Sequence, residues 1–313
     1  MKKDFGFADK LIEKYGIPAW VTPYVYEYIR KNPIDAIRYA ASFIDVKRKR
    51  GEVTSNYVKL PNGVIFEMAS VAHILSLFLY GEERTAQIYR RWSSEPAPEK
   101  REYAEMYSNM ADAAEKHARA IRNLIQGIGR KPDKPSNQAI AVFEHIERIQ
   151  DWKERIIYTN IIIRYSYANV FGVAFYKAFY FVMPEYMRNF GKAFEGTTGI
   201  AAKGEAEART ILREGIESER AIKLFREAVG DILDSVKGEM QIAKKAKIVN
   251  EVYLLSEIAI AYPLMIFKEE GVDIDVDAEV RKTIDEHMRK GSGGRSGGRR
   301  DAHTGPSGKN IRN

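Results

Sequence analysis

The chain has 313 residues, a formal charge of +7, 45% hydrophobic and 30% charged residues, and no cysteine. That length supplies a core for one large helical domain or two modest ones without covalent staples. The missing cysteine excludes disulfides, thiolate zinc sites, iron–sulfur clusters and cysteine nucleophiles, so any metal must take oxygen and imidazole ligands, which favours iron, manganese or no metal.

Taken in chain order, residues 1–63 read as an N-terminal helical cap, with short helices at about 7–15, 23–31 and 33–47 and an extended or turn segment running to Asn62. The basic run Lys47-Arg48-Lys49-Arg50 suits a solvated helix end, where cations complement the helix dipole. The start lacks a long apolar run and a small-residue cleavage site, so the expectation is a cytoplasmic protein.

The spacing then predicts helices over residues 64–92, 99–126, 137–183, 184–194, 205–237 and 242–269. The fold class is all-α, a bundle with further N- and C-terminal helices. Pro96-Ala97-Pro98 separates the first pair of long helices, and Gly127-Ile128-Gly129 with Pro132 ends the second, which makes an αα-hairpin with the third beyond it. Residues 156–183 are very apolar, but Arg164 and Lys177 interrupt them, so a buried central helix is expected and no membrane span. Asp273, Asp275 and Asp277 alternate like a calcium loop but lack its glycine and terminal glutamate; an acidic helix N-terminus is the better reading.

Residues 291–313 are rich in Gly, Ser and Arg and should be disordered, because they bury too little to offset the entropy of ordering. Arg295, Arg299, Arg300, Lys309 and Arg312 against Asp301 alone place more than half of the net charge there. Such a tail solubilises or tethers, and weak nucleic-acid binding is the sharper alternative, although it has no aromatic ring to stack a base.

Two polar residues stand out on apolar stripes. Val71, Leu75, Phe78, Leu79, Glu82, Ala86 and Tyr89 recur at steps of three or four, as do Met110, Ala113, Ala114, His117, Ile121 and Leu124. A carboxylate in such a stripe must be paired, metal-bound or protonated, since desolvating it alone costs several kcal/mol. Glu144, Glu147 and Glu154 read instead as a solvated, ion-paired face beside Arg148, Asp151, Lys153 and Arg155. His73 reads as a core histidine with a satisfied ring nitrogen, and His287 and His303 as outside any site.

Gly81-Glu82, Tyr89, Trp92, Ala97-Pro98 and Ala114-Glu115-Lys116-His117-Ala118 resemble the first helix pair of the ferritin-like di-iron proteins. Within them the likeness is to the phenylacetyl-CoA oxygenase (phenylacetate catabolic) family, and the stretch from Gly204-Glu205 through Leu212-Arg213 to Val236 is similar to a later helix of that family. The resemblance implies two Glu-x-x-His pairs and two further carboxylates holding two irons that activate dioxygen. Glu82 and His117 match two of these ligands. Ala114 stands where the acid before the histidine belongs, Arg164 stands near the place of a third acid, and only Glu195 remains near the second Glu-x-x-His.

The expected function is therefore a ferritin-like protein with a degenerate di-iron site, a non-catalytic subunit or paralogue that assembles as a homo- or hetero-oligomer of helical subunits. Glu82 and His117 are its remnant metal ligands, and Arg164 is the charge partner that replaces the metal beside Glu82 by a bidentate pair. No cofactor is expected on this reading. One alternative is an active non-haem iron oxidoreductase using iron or manganese on Glu82 and His117, so whether the chain is an enzyme stays open. The other is a helical scaffold with a nucleic-acid-binding tail.

Overall fold

The computed structural model describes residues 51–60, 63–95, 101–172, 175, 179, 182–183 and 198–289. The expected short helices before residue 51, the helix at 184–194, Glu195, His303 and the 291–313 tail lie outside the described residues. Within them the chain is all-α with one small sheet.

Three short strands come first: β1 Glu52–Val53, β2 Tyr57–Lys59 and β3 Ile65–Glu67, antiparallel in the order β1-β2-β3. Val53, Val58 and Phe66 align in register, as do Glu52, Lys59 and Ile65. Val58 and Phe66 are buried and Lys59 and Ile65 exposed, so the period-2 alternation turns Val58 and Phe66 inward, while Val53 at the sheet edge stays exposed. The amide of Met68 donates to the carbonyl of Asn56 at 2.7 Å, which ties the sheet to the first residue of the next helix. The boundary expected after residue 63 thus falls inside the sheet, and the extended segment is a strand pair joined to the bundle.

The helices follow as α1 Met68–Ser94, α2 Arg101–Gly127, α3 Asn137–Arg148 and α4 Trp152–Ile157, which runs on as a π-helix over Tyr158–Gly172. Then come α5 Thr198–Glu214, α6 Ser218–Gly238, α7 Met240–Ala246, α8 Val249–Glu269 and α9 Val276–Ile284, closed by a π turn at Asp285–Arg289. The α1–α2 hairpin forms as expected. Asp275 caps α9 by accepting from the amide of Ala278 at 3.0 Å, so the alternating acids do open a helix.

Three expected helices are interrupted among the described residues, for local reasons. Residues 137–183 stop at Arg148 and restart after Asp151, whose carboxylate accepts from the amides of Lys153 (2.8 Å) and Glu154 (3.2 Å). Residues 205–237 belong to a helix that begins earlier, stops before Gly215 and restarts at Ser218. Residues 242–269 are split at Lys247, whose φ of 59° is left-handed. The π segment opens where Thr159 Oγ1 donates to the carbonyl of Arg155 (2.8 Å) and Asn160 Nδ2 to that of Ile156 (3.1 Å). Side chains that bond a carbonyl four residues back compete with the α ladder and loosen it.

The apolar interior has two centres. One gathers Ile156, Ile157, Tyr158, Ile161 and Ile162 of the central helix with α3, α5, α6 and α8; the other gathers Val58, Phe66, Leu75, Leu79, Ile121 and Ile125 with Phe175 and Phe179. α1 and α2 run through both. Leu79 and Ala118 belong to one centre and Ile88 and Ala111 to the other, so Glu82 and His117 sit at the seam between them. The buried run Arg155 to Ile162 bears out the expectation of a buried central helix. α8 is the one described helix long and apolar enough to cross a membrane; Ala259, Ile260, Leu264 and Phe267 are buried in the bundle interior, and the helix packs against the π segment.

Candidate functional site

Glu82 lies in the middle of α1 and His117 in the middle of α2, and the antiparallel hairpin brings them together. His117 Nδ1 stands 3.3 Å from Glu82 Oε2, with side-chain exposures of 10% and 23%. The surroundings are aromatic. Tyr89 packs on Tyr107 (5.5 Å between ring centres) and Trp92 on Tyr107 (5.2 Å), while Tyr167 from the π segment rests on Phe78 (5.7 Å). Burial raises the pKa values of Tyr89 and Tyr167, helped at Tyr89 by Tyr107, Tyr158 and Glu82 and at Tyr167 by Glu82 and Glu239, so both phenols stay protonated. Tyr158 is pushed up in the same way by burial. Its hydroxyl and the indole N–H of Trp92 meet no acceptor among the described residues.

One turn before His117, Ala114 is buried and apolar. Asp112 and Glu115, the nearest acids in sequence, turn away to Arg90, with Glu115 at 3.0 Å. Among the described residues no cluster of three or more His, Asp or Glu side chains is placed to share a metal ion. The described residues thus supply a two-membered donor set, which does not fit the di-iron ligand pattern that the resemblance implies.

Arg164 departs from expectation. Its Nη1 donates to Glu205 Oε2 at 3.1 Å, so the structure gives it Glu205 in place of the expected Glu82. The reason lies in the backbone: a π turn closes i→i+5, so residues of Tyr158–Gly172 drift in phase from the α-helical positions that the sequence suggests. Glu205 also accepts from the Tyr165 hydroxyl and from Arg209 Nε (3.2 Å). Arg209 continues to Glu270 (2.8 Å) and Glu269 (3.1 Å), and Arg213 joins at Glu270 (3.0 Å). Burial alone would raise the Glu270 carboxyl, but the two guanidiniums overcome it and hold it below the usual range. The result is a network of guanidiniums and carboxylates spanning the π segment, α5 and the end of α8.

The π segment and α5 are close at one further point. A Cβ on Gly204 would lie 1.9 Å from Asn160 Oδ1, so only glycine admits the buried Asn160 amide there. Glu144, Glu147 and Glu154 form the ion-paired face expected of them, with Arg148 (3.5 Å), Arg84 and Arg220 (2.6 Å) respectively.

Sequence reasoning gave His73 a satisfied ring nitrogen, which it has, and missed the pairings of Glu205, His145 and His287. His73 Nε2 is 2.9 Å from Glu239, His145 Nδ1 2.8 Å from Asp231, and His287 Nδ1 3.1 Å from Asp234. A signal was present: Glu227, Asp231 and Asp234 recur at helical spacing on one face of α6. Comparison with family models, with curated proteins and with solved structures returns no match.

Proposed function

We propose that the chain is a ferritin-like bundle in which ion pairs take the place of a metal centre, and that it serves as a non-catalytic subunit or paralogue of a phenylacetyl-CoA-oxygenase-type assembly. The observation that carries this reading is the pairing of the polar residues between neighbouring helices: Glu82 with His117 across α1 and α2, and Arg164 with Glu205 across the π segment and α5. Each half thus has a polar partner for its carboxylate inside the bundle, which is what a metal would otherwise supply. A guanidinium held by a carboxylate cannot be deprotonated to become a ligand, and Ala114 offers no donor atom. With oxygen chemistry given up, the role left to such a bundle is to shape an oligomer of helical subunits.

The test is elemental analysis of full-length protein expressed with added iron and manganese, alongside Glu82→Ala. Well under one metal ion per chain, unchanged in the variant, is the expected result. Stoichiometric iron or manganese that disappears in Glu82→Ala would overturn the proposal in favour of an oxidoreductase with an unusual site.

A further inference from the structure

α8 is apolar on two opposite sides, and the bundle interior takes up one of them. On that side Ala259, Ile260, Leu264 and Phe267 are buried: Phe267 packs on Phe225 of α6 (6.0 Å between ring centres), and Ser166 Oγ of the π segment donates to the Ala259 carbonyl at 2.7 Å. Along the opposite side run Glu251, Leu254, Ile258, Ala261, Met265 and Lys268, at steps of 3, 4, 3, 4 and 3. This is the spacing of a heptad seam, which seats one helix on another. Leu254, Ile258 and Met265 are half-buried and belong to neither apolar centre of the described residues, while Ala261 between them is small and buried. Glu251 in the first turn and Lys268 in the last make no ion pair or side-chain hydrogen bond among the described residues. A helix that is apolar on both sides is suited to burial on both.

We propose that this line is the seam of a homodimer, in which α8 lies antiparallel on α8 of a second copy, about a two-fold axis that passes between Ile258 and Ala261. The step pattern reads the same from either end, so reversing it brings complementary groups together. Leu254 meets the partner's Met265, Ile258 meets the partner's Ala261 and Glu251 meets the partner's Lys268. Each contact occurs twice, as an isologous interface requires. The charged ends also choose the direction. A parallel pair would set Glu251 against its own copy and Lys268 against its own, and like charges repel. An unrelated partner has no need of a stripe that matches its own reverse, and a membrane surface would meet Glu251 where basic residues are favoured. The seam is about 25 Å long. That is the small end of specific interfaces, so a dimer of roughly micromolar affinity is expected. The inference stands apart from the metal-free reading of the hairpin, and its test reads no metal.

Sedimentation equilibrium of the full chain from about 1 to about 200 µM should show monomer and dimer exchanging with a midpoint inside that range. Ile258→Glu should raise the dissociation constant by about tenfold or more, since it presses a carboxylate onto the apolar centre of the seam. The charged ends give a second reading that holds even where that variant fails to fold. Glu251→Lys and Lys268→Glu each turn two ion pairs per dimer into like-charge contacts and should weaken association about fivefold. Mixing the two single variants, or combining them as E251K/K268E, should restore the wild-type affinity, because only the antiparallel pairing makes those charges complementary again. A monomer at every concentration, a dimer indifferent to these substitutions, or a combined swap that restores nothing overturns the seam. So does a monomeric wild type that binds phosphatidylglycerol vesicles and is released from them by Ile258→Glu, which would make this side of α8 a membrane-facing one.

Discussion

The α1–α2 hairpin and the junction of the π segment with α5 and α8 solve the same problem with different chemistry. In the hairpin one carboxylate meets one imidazole at the seam of two apolar centres. At the junction Glu205 gathers Arg164, Tyr165 and Arg209, and the network runs on to Glu269 and Glu270. The hairpin pair is one carboxylate facing one imidazole, set in the apolar packing around it. The junction is ordered by its own charges, because guanidiniums stay charged at any working pH and Glu205 and Glu270 each accept from more than one residue. Polar groups inside one bundle can therefore be dispensable in one half and structural in the other.

Mutation can break that contrast or sharpen it. Glu205→Ala should have the largest effect, about 2–4 kcal/mol in urea denaturation, because it takes a shared carboxylate away from Arg164, Arg209 and the Tyr165 hydroxyl. A loss below about 1 kcal/mol would erase the distinction between the two regions. A double-mutant cycle on Glu82→Gln and His117→Ala should give a coupling of about 0.5–1.5 kcal/mol, smaller than the same cycle on Arg164 and Glu205. The reverse order would mean that the hairpin pair is the stronger anchor. Tyr158→Phe should change stability least, from neutral to about 1 kcal/mol more stable, since it removes a buried hydroxyl that meets no acceptor among the described residues. Destabilisation there would reveal a partner for that hydroxyl in solution.

The sequence carried the helical class, the α1–α2 hairpin, the burial of Ile156–Ile162 and the meeting of Glu82 with His117, all because apolar steps of three and four residues report one helix face. It was poorer wherever backbone chemistry interrupts that period. Asp151, Gly215 and Lys247 each end or restart a helix through a cap or a left-handed turn, and an apolar pattern continues smoothly past such points. Arg164 is the sharpest case. It was expected beside Glu82, and in the π segment, which opens at Thr159 and Asn160, it pairs with Glu205. The acids of α6 were legible as a stripe, yet nothing in their spacing tells which distant histidines will face them.

The close approach at Gly204 has a counterpart at Gly230, and the two carry an evolutionary consequence. Asn160 occupies the space of a missing methyl group at Gly204, and His287 does the same at Gly230. Any methyl-bearing substitution at 204 or 230 evicts a specific partner far away in the chain, so each glycine and its tenant can change only together. In kindred chains Gly204 should covary with Asn160 and Gly230 with His287. Those two couplings form a fingerprint of common descent that survives when overall likeness has faded, and the second also marks which relatives keep the C-terminal turn fastened to α6.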